Sequence, residues 1–256
     1  MRTRATLGVA IVSSLALAGV AGATPSTTYW TPTTIDFQSY GVLHIGVDNY
    51  FTVGKTGSDA SAFPTDAGLT LGVLPGSKVQ MEIGIDVMGH TDNPLMFNAK
   101  IGTPEGTLFK GSPTLQAGIF GVGTKKDVTN QNVVYGVVGK SIAKFGRLSA
   151  GPYIGNANVL RDSLGNKANS GVMVAFDHSF ATTKDKEGNE FSRVVFAADW
   201  ASGKNAIGAG GFGLYYYFKS NISLLAGPVF FNDTGINGKY KWTIQLDINH
   251  PKLFGK

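Results

Sequence analysis

Gly208-Ala209-Gly210-Gly211-Phe212-Gly213 has the G-x-G-x-x-G spacing of a dinucleotide loop, and Asp233 follows at about the distance of a ribose ligand. Such a loop must open a helix whose N-terminus receives the pyrophosphate. Here Leu214-Tyr215-Tyr216-Tyr217 continues as a strand, so the glycines read instead as bends or as small inward positions. Asp185-Lys186-Glu187-Gly188-Asn189-Glu190 gathers oxygen ligands around a glycine but lacks the spacing of a calcium loop, and is expected to be a solvated connector. The histidines, His44, His90, His178 and His250, form no H-x-x-x-H or H-E-x-x-H pair, so no structural metal site is expected. There is no G-x-S-x-G. Hydrolytic chemistry would require distant groups such as His178 and Ser179 to join a site in space. With no cysteine, disulfides, a thiolate nucleophile and covalent c-type haem are all excluded. No cofactor is expected.

The remaining ionisable residues stand at regular places in alternating runs. Val79, Met81, Ile83, Ile85 and Val87 share one parity, with Glu82 and Asp86 between them. At 100° per residue these apolar positions would scatter around a helix, whereas at period two they form one face of a strand. Leu69, Leu71 and Val73 precede them across the turn Leu74-Pro75-Gly76-Ser77-Lys78, and pairing Val73 with Val79 would set Leu71 opposite Met81. The same grammar places His44 and Asp48 on a long strand expected from about 34 to 50. Lys100, Lys140, Arg193, Asp199, Lys241 and Asp247 take polar positions on later strands, with Val133, Tyr135 and Val137 expected on the apolar face of theirs. The count is about twelve strands, in a range of roughly 10 to 14, with no convincing amphipathic helix. Short and long connections roughly alternate, except that the stretch near 178–190 is long where a short turn is due.

The other features of the chain bound this picture. Arg2 and Arg4 precede an apolar run to about Val20 and the small-residue site Ala21-Gly22-Ala23, the pattern of a secretory leader over 1–23. Its removal would lower the net charge from +5 to about +3, too even for a nucleic-acid-binding stripe. A Ser/Thr/Pro-rich lead-in over 24–33 would then precede a single domain over 34–256. No later stretch is long and apolar enough for a transmembrane helix, so a membrane location would have to come from strands.

Alternation alone fits either a soluble sandwich with its apolar face inside or a membrane barrel with the faces reversed. Four features favour the barrel. Its polar face carries many glycines, including Gly46, Gly72, Gly84, Gly118 and Gly210, where a solvated sheet would display lysine, glutamate and threonine. Its strands have the length that a tilted crossing needs, about 9 to 11 residues. Aromatic residues gather near strand ends, with Tyr50, Trp200, Tyr215, Tyr217, Phe230, Tyr240 and Trp242 as candidates for an interfacial girdle. Closure would also remove every sheet edge. Over about residues 34–250 the chain thus resembles bacterial outer-membrane β-barrel proteins of the porin-like class. It departs from many of them at its end, where Asn249 to Lys256 follows the last aromatic strand.

The resemblance implies an all-β, antiparallel transmembrane barrel in the bacterial outer membrane, passing small hydrophilic solutes or ions and contacting lipid. Its lumen would be lined by His44, Asp48, Glu82, Asp86, Lys100, Lys140, Arg193, Asp199, Lys241 and Asp247. The inward glycines suggest an open bore, whereas mixed charges would suit a plugged one. A structural or adhesive barrel acting through its loops, and a lipid-modifying enzyme, are the alternatives.

Overall fold

A computed structural model describes residues 26–53, 63–89, 91–186, 188, 190–250 and 252–254. The expected leader and its cleavage site lie outside these residues. Twelve strands run in chain order: β1 Leu43–Phe51, β2 Asp66–Gly72, β3 Gln80–Met88, β4 Leu95–Thr103, β5 Thr114–Gly123, β6 Val133–Ile142, β7 Gly146–Ile154, β8 Ser170–Lys184, β9 Glu190–Ala201, β10 Ala209–Lys219, β11 Ile222–Phe231 and β12 Tyr240–His250. Each pairs antiparallel with its sequence neighbours, and β1 pairs with β12 from Leu43↔His250 to Phe51↔Trp242, which closes the barrel. Among the described residues no strand keeps a free edge. Among the described residues no helix is long and apolar enough to cross a membrane.

The outer surface shows why the barrel is closed this way round. Ile83, Ile85 and Val87 are each more than 40% exposed, and Leu69, Phe97, Leu115, Val138, Val174, Leu214 and Ile244 continue the apolar belt around the wall. Glu82, Lys100, Lys241 and Asp247, on the alternate parity, are buried inside. A belt of this extent far exceeds the apolar patch of a soluble monomer and matches the hydrocarbon of a bilayer.

The connections define two ends. Those after β6 and β10 are tight, whereas 155–169 and 124–132, at the opposite end, are long. These ends are called the turn end and the loop end below. The long connection expected near 178–190 is shortened by extension of β8 to Lys184 and an early start of β9 at Glu190.

Three expectations change. β2 and β3 pair Leu71 with Ile83, two residues away from the expected register; the shift is even, so every side chain keeps its face. The strand expected from about 34 begins only at Leu43. In β6 the faces are reversed: Val133, Tyr135 and Val137 point inward, and Lys140 lies on the outward parity. Both faces of Val133-Val134-Tyr135-Gly136-Val137-Val138 are apolar, so the sequence leaves parity undecided; pairing of Val137 with the inward Gln116 decides it.

Candidate functional site

Ser26 to Ser39 occupy the lumen. The segment runs from the turn end toward the loop end and back, as a narrow hairpin whose legs meet where Thr28 and Thr33 hydroxyls approach within 3.1 Å. It leaves at Tyr40, which bridges Gly72 at the end of β2. The sequence explains why these residues did not join the wall: Pro32 removes a ladder donor, and a run of Ser and Thr lacks the apolar face that lipid requires.

Two carboxylates hold the hairpin at its ends. Glu82, near the turn end of β3, accepts the Ser26 N–H at 2.9 Å, the Ser26 hydroxyl at 2.9 Å and the Gln38 N–H at 2.8 Å, so one side chain clamps both legs. Lys100 faces it at 3.3 Å and donates to the Asp36 carbonyl at 2.7 Å. Asp199, near the loop end of β9, accepts the backbone N–H groups of Tyr29, Trp30 and Thr31 at 3.0, 2.9 and 2.8 Å, and the Thr31 hydroxyl at 2.9 Å. Three successive N–H groups converging on one oxygen make a backbone anion nest, and the bonds are charge-assisted.

Between the clamps, Gln116 donates to the Pro32 carbonyl, Ser149 to that of Thr33, and Tyr215 to that of Thr28. Arg147 joins Asp36 of the hairpin to Asp177 of the wall, at 2.7 and 2.6 Å. At the loop end the Trp30 ring meets Tyr50, Phe63 and Phe231 with centroids 5.6 to 6.0 Å apart, an aromatic stopper across the bore.

The inward glycines are the seats of this hairpin. A methyl group built on Gly211 or Gly213 would lie 2.6 or 2.7 Å from the Tyr29 ring, and one on Gly102 2.8 Å from that of Phe37; on Gly139 it would collide with Ile35. Thus two glycines of the G-x-G-x-x-G run admit a tyrosine. A cavity of about 20 Å³ between Thr28, Thr34, Arg147 and Tyr215 has room for one or two waters.

His44, Asp48, Glu82, Asp86, Lys100, Asp199, Lys241 and Asp247 all line this interior. His44 approaches Asp247 at 3.4 Å, and Lys241 donates to Thr52. The other two residues expected there stand near the turn end. Lys140 stands at the turn-end rim, paired with Glu105 at 2.8 Å, because the reversed parity of β6 turns it outward. Arg193 shares the strand parity of Asp199 but stands near the turn end of β9, where its guanidinium lies over the rings of Phe191 and Tyr216 and donates to the Tyr217 and Phe218 carbonyls.

The girdle divides likewise. Trp200, Phe230 and Trp242 are exposed on the outer face, and Tyr240 lies beside Phe230. Tyr50, Tyr215 and Tyr217 instead point inward; Tyr216 and Phe218 take the outer positions of β10. Three consecutive tyrosines leave the parity of that strand ambiguous, and contact with the hairpin decides it. His178 packs on Phe180 while Ser179, the next residue along the strand, takes the opposite parity, so these two do not form a catalytic pair.

Arg147, Asp177, Asp36 and Asp66 were absent from the expected lining. The alternation of Arg147 with Leu148, and of Asp177 with Phe176, carried the signal; both lay at the very edge of their expected strands, next to the expected connections.

No family model and no curated protein matches the chain. Solved structures do. The NanC porin superimposes with a TM-score of 0.50 at 8% identity, covering 80% of this chain and 98% of that one. An outer membrane channel from Pseudomonas putida F1 gives 0.41 at 10% identity, over 86% and 99%. A variant of the Rh. blastica porin gives 0.41 at 9% identity over 72% of this chain and 55% of that one, so the chain spans about half the length of that porin. The likeness to NanC shows the fold alone: a closed antiparallel β-barrel.

Proposed function

We propose that this protein is an outer-membrane channel for small hydrophilic solutes or ions, closed in the described conformation by its own N-terminal hairpin. The supporting observation is the chemistry of the contact between hairpin and wall. A permanent barrel core would be expected to interlock wall side chains across the bore, whereas here the wall retains glycines and polar groups complementary to a separable segment. With the hairpin withdrawn, the same wall would be a water-accessible tube lined by charges. The apolar belt and the barrel fold shared with NanC support the membrane location. Twelve strands enclose a narrow bore, which restricts passage to small or threaded solutes. Catalysis is not needed for this reading, and it invokes no cofactor.

The filled lumen also favours a second reading, a structural barrel that never conducts. Planar-bilayer recordings decide between them. The mature chain is expected to open rarely, while deletion of 26–39 or the substitution Gly213→Leu gives sustained discrete steps. If both variants fold, as judged by a gel-mobility shift on boiling, and both stay silent, the barrel is structural and the channel reading is wrong.

A further inference from the structure

The lumen face of β1 to β4 presents oxygen atoms without donors. Asp48 and Asp66 are direct cross-strand partners, and Asp86 is opposite Gly68, one inward step from Asp66. Three carboxylates therefore stand on three adjacent strands, toward the loop end. Like charges directly opposed in a sheet destabilise it, so the Asp48–Asp66 pair calls for a compensating charge. Neutral acceptors continue the patch toward the turn end. Thr70 and Asn98 flank Gly84 from either side, again in direct register.

The hydrogen bonding of these neutral groups is independent of the carboxylates' charge and points the same way. The Thr70 hydroxyl is fully buried and has no partner among the described residues. Asn98 is 5% exposed; its amide donates to Asp86 at 2.9 Å, which fixes the flip and leaves Oδ1 turned away without a donor. One oxygen each of Asp48 and Asp66 is likewise buried and unpartnered. Buried acceptors are normally satisfied, and four on one wall face define an environment suited to a positive ligand.

Elsewhere in the lumen, Glu82 faces Lys100, Asp36 and Asp177 share Arg147, and Asp199 is held by backbone N–H groups, while Asp247 keeps one oxygen 3.4 Å from His44.

We propose that the ions this barrel passes are cations, and that the lumen face of β1 to β4, through Asp48, Asp66, Asp86, Thr70 and Asn98, is where they are held in transit. This rests on the channel reading and adds the sign of the permeant charge. Among the described residues no three carboxylates or imidazoles close around a single point, so the ion is held with its water rather than stripped and caged. Weak, multi-site binding of that kind suits conduction, since an ion must leave as readily as it enters.

The test uses the full mature chain carrying Gly213→Leu, in a planar bilayer under a potassium chloride gradient. The reversal potential is expected to show potassium favoured over chloride by roughly tenfold or more, the scale by which a charged cleft concentrates counter-ions. Adding Asp48→Asn, Asp66→Asn and Asp86→Asn should bring the ratio close to unity while single-channel steps persist; Thr70→Val with Asn98→Leu should lower it in part. Currents with no cation preference, or a preference that survives the triple substitution, overturn this assignment and leave the channel intact. Silence from every folded variant instead removes the channel reading and this inference with it.

Discussion

Glu82 has no solvent exposure, yet it accepts three hydrogen bonds from the hairpin and faces a lysine that is almost as deeply buried. Taking two charges out of water costs several kcal/mol each, and mutual attraction with good hydrogen bonding offsets that cost only while both partners are present. Lys100→Met should therefore destabilise the folded barrel by about 3 to 5 kcal/mol, and Lys100→Met with Glu82→Gln should recover part of the loss. Guanidinium unfolding in detergent micelles measures both; equal stabilities for the single and double variants would show that the pair is not coupled. At this scale the sequence was informative where strand parity was clear. Glu82, Asp86, Lys100, Asp199 and Asp247 alternate with strong apolar residues, and hydrocarbon permits only one orientation for them. Lys140 was misleading because Val134 and Val137 are equally apolar, so alternation there did not choose a face.

The hairpin is the element that sequence patterns did not disclose. Ile35, Phe37 and the polar residues between them alternate as a strand does, and alternation does not distinguish a strand in the wall from an extended segment lying against its inner face. Its partners are wall glycines, whose absence of a side chain gives no sign of what fills the space. Trp30 offers a direct probe, because the other two tryptophans, Trp200 and Trp242, face outward. In vesicles of brominated lipid, Trp200 and Trp242 should be quenched and Trp30 spared. With both outer tryptophans replaced by Phe, Asp199→Ala should make Trp30 markedly more accessible to acrylamide, since four hydrogen bonds at the tip are lost together. Unchanged quenching would show that Asp199 does not hold the tip.

For the whole molecule, the wall was the most legible part: strand number, antiparallel order and the apolar outer face all follow from alternation and strand length. The closing pair β1 and β12 was implied only by the need to cover two edges. Ile85, near the middle of β3 and outward, tests the orientation of the whole wall. Ile85→Arg should cost roughly 2 to 4 kcal/mol of folding into vesicles, read from urea titration, as a cation at the bilayer midplane does. No cost would mean that this face meets water. The hairpin has a further consequence for the order of assembly. Because Ser26 and Gln38 share Glu82, the described segment enters and returns through one mouth, like a key on a ring rather than a rope through a pulley. Among the described residues nothing need be threaded through the ring of strands: on the channel reading, the barrel would close first and receive its stopper afterwards, and release of the stopper would leave all twelve strand pairs unbroken.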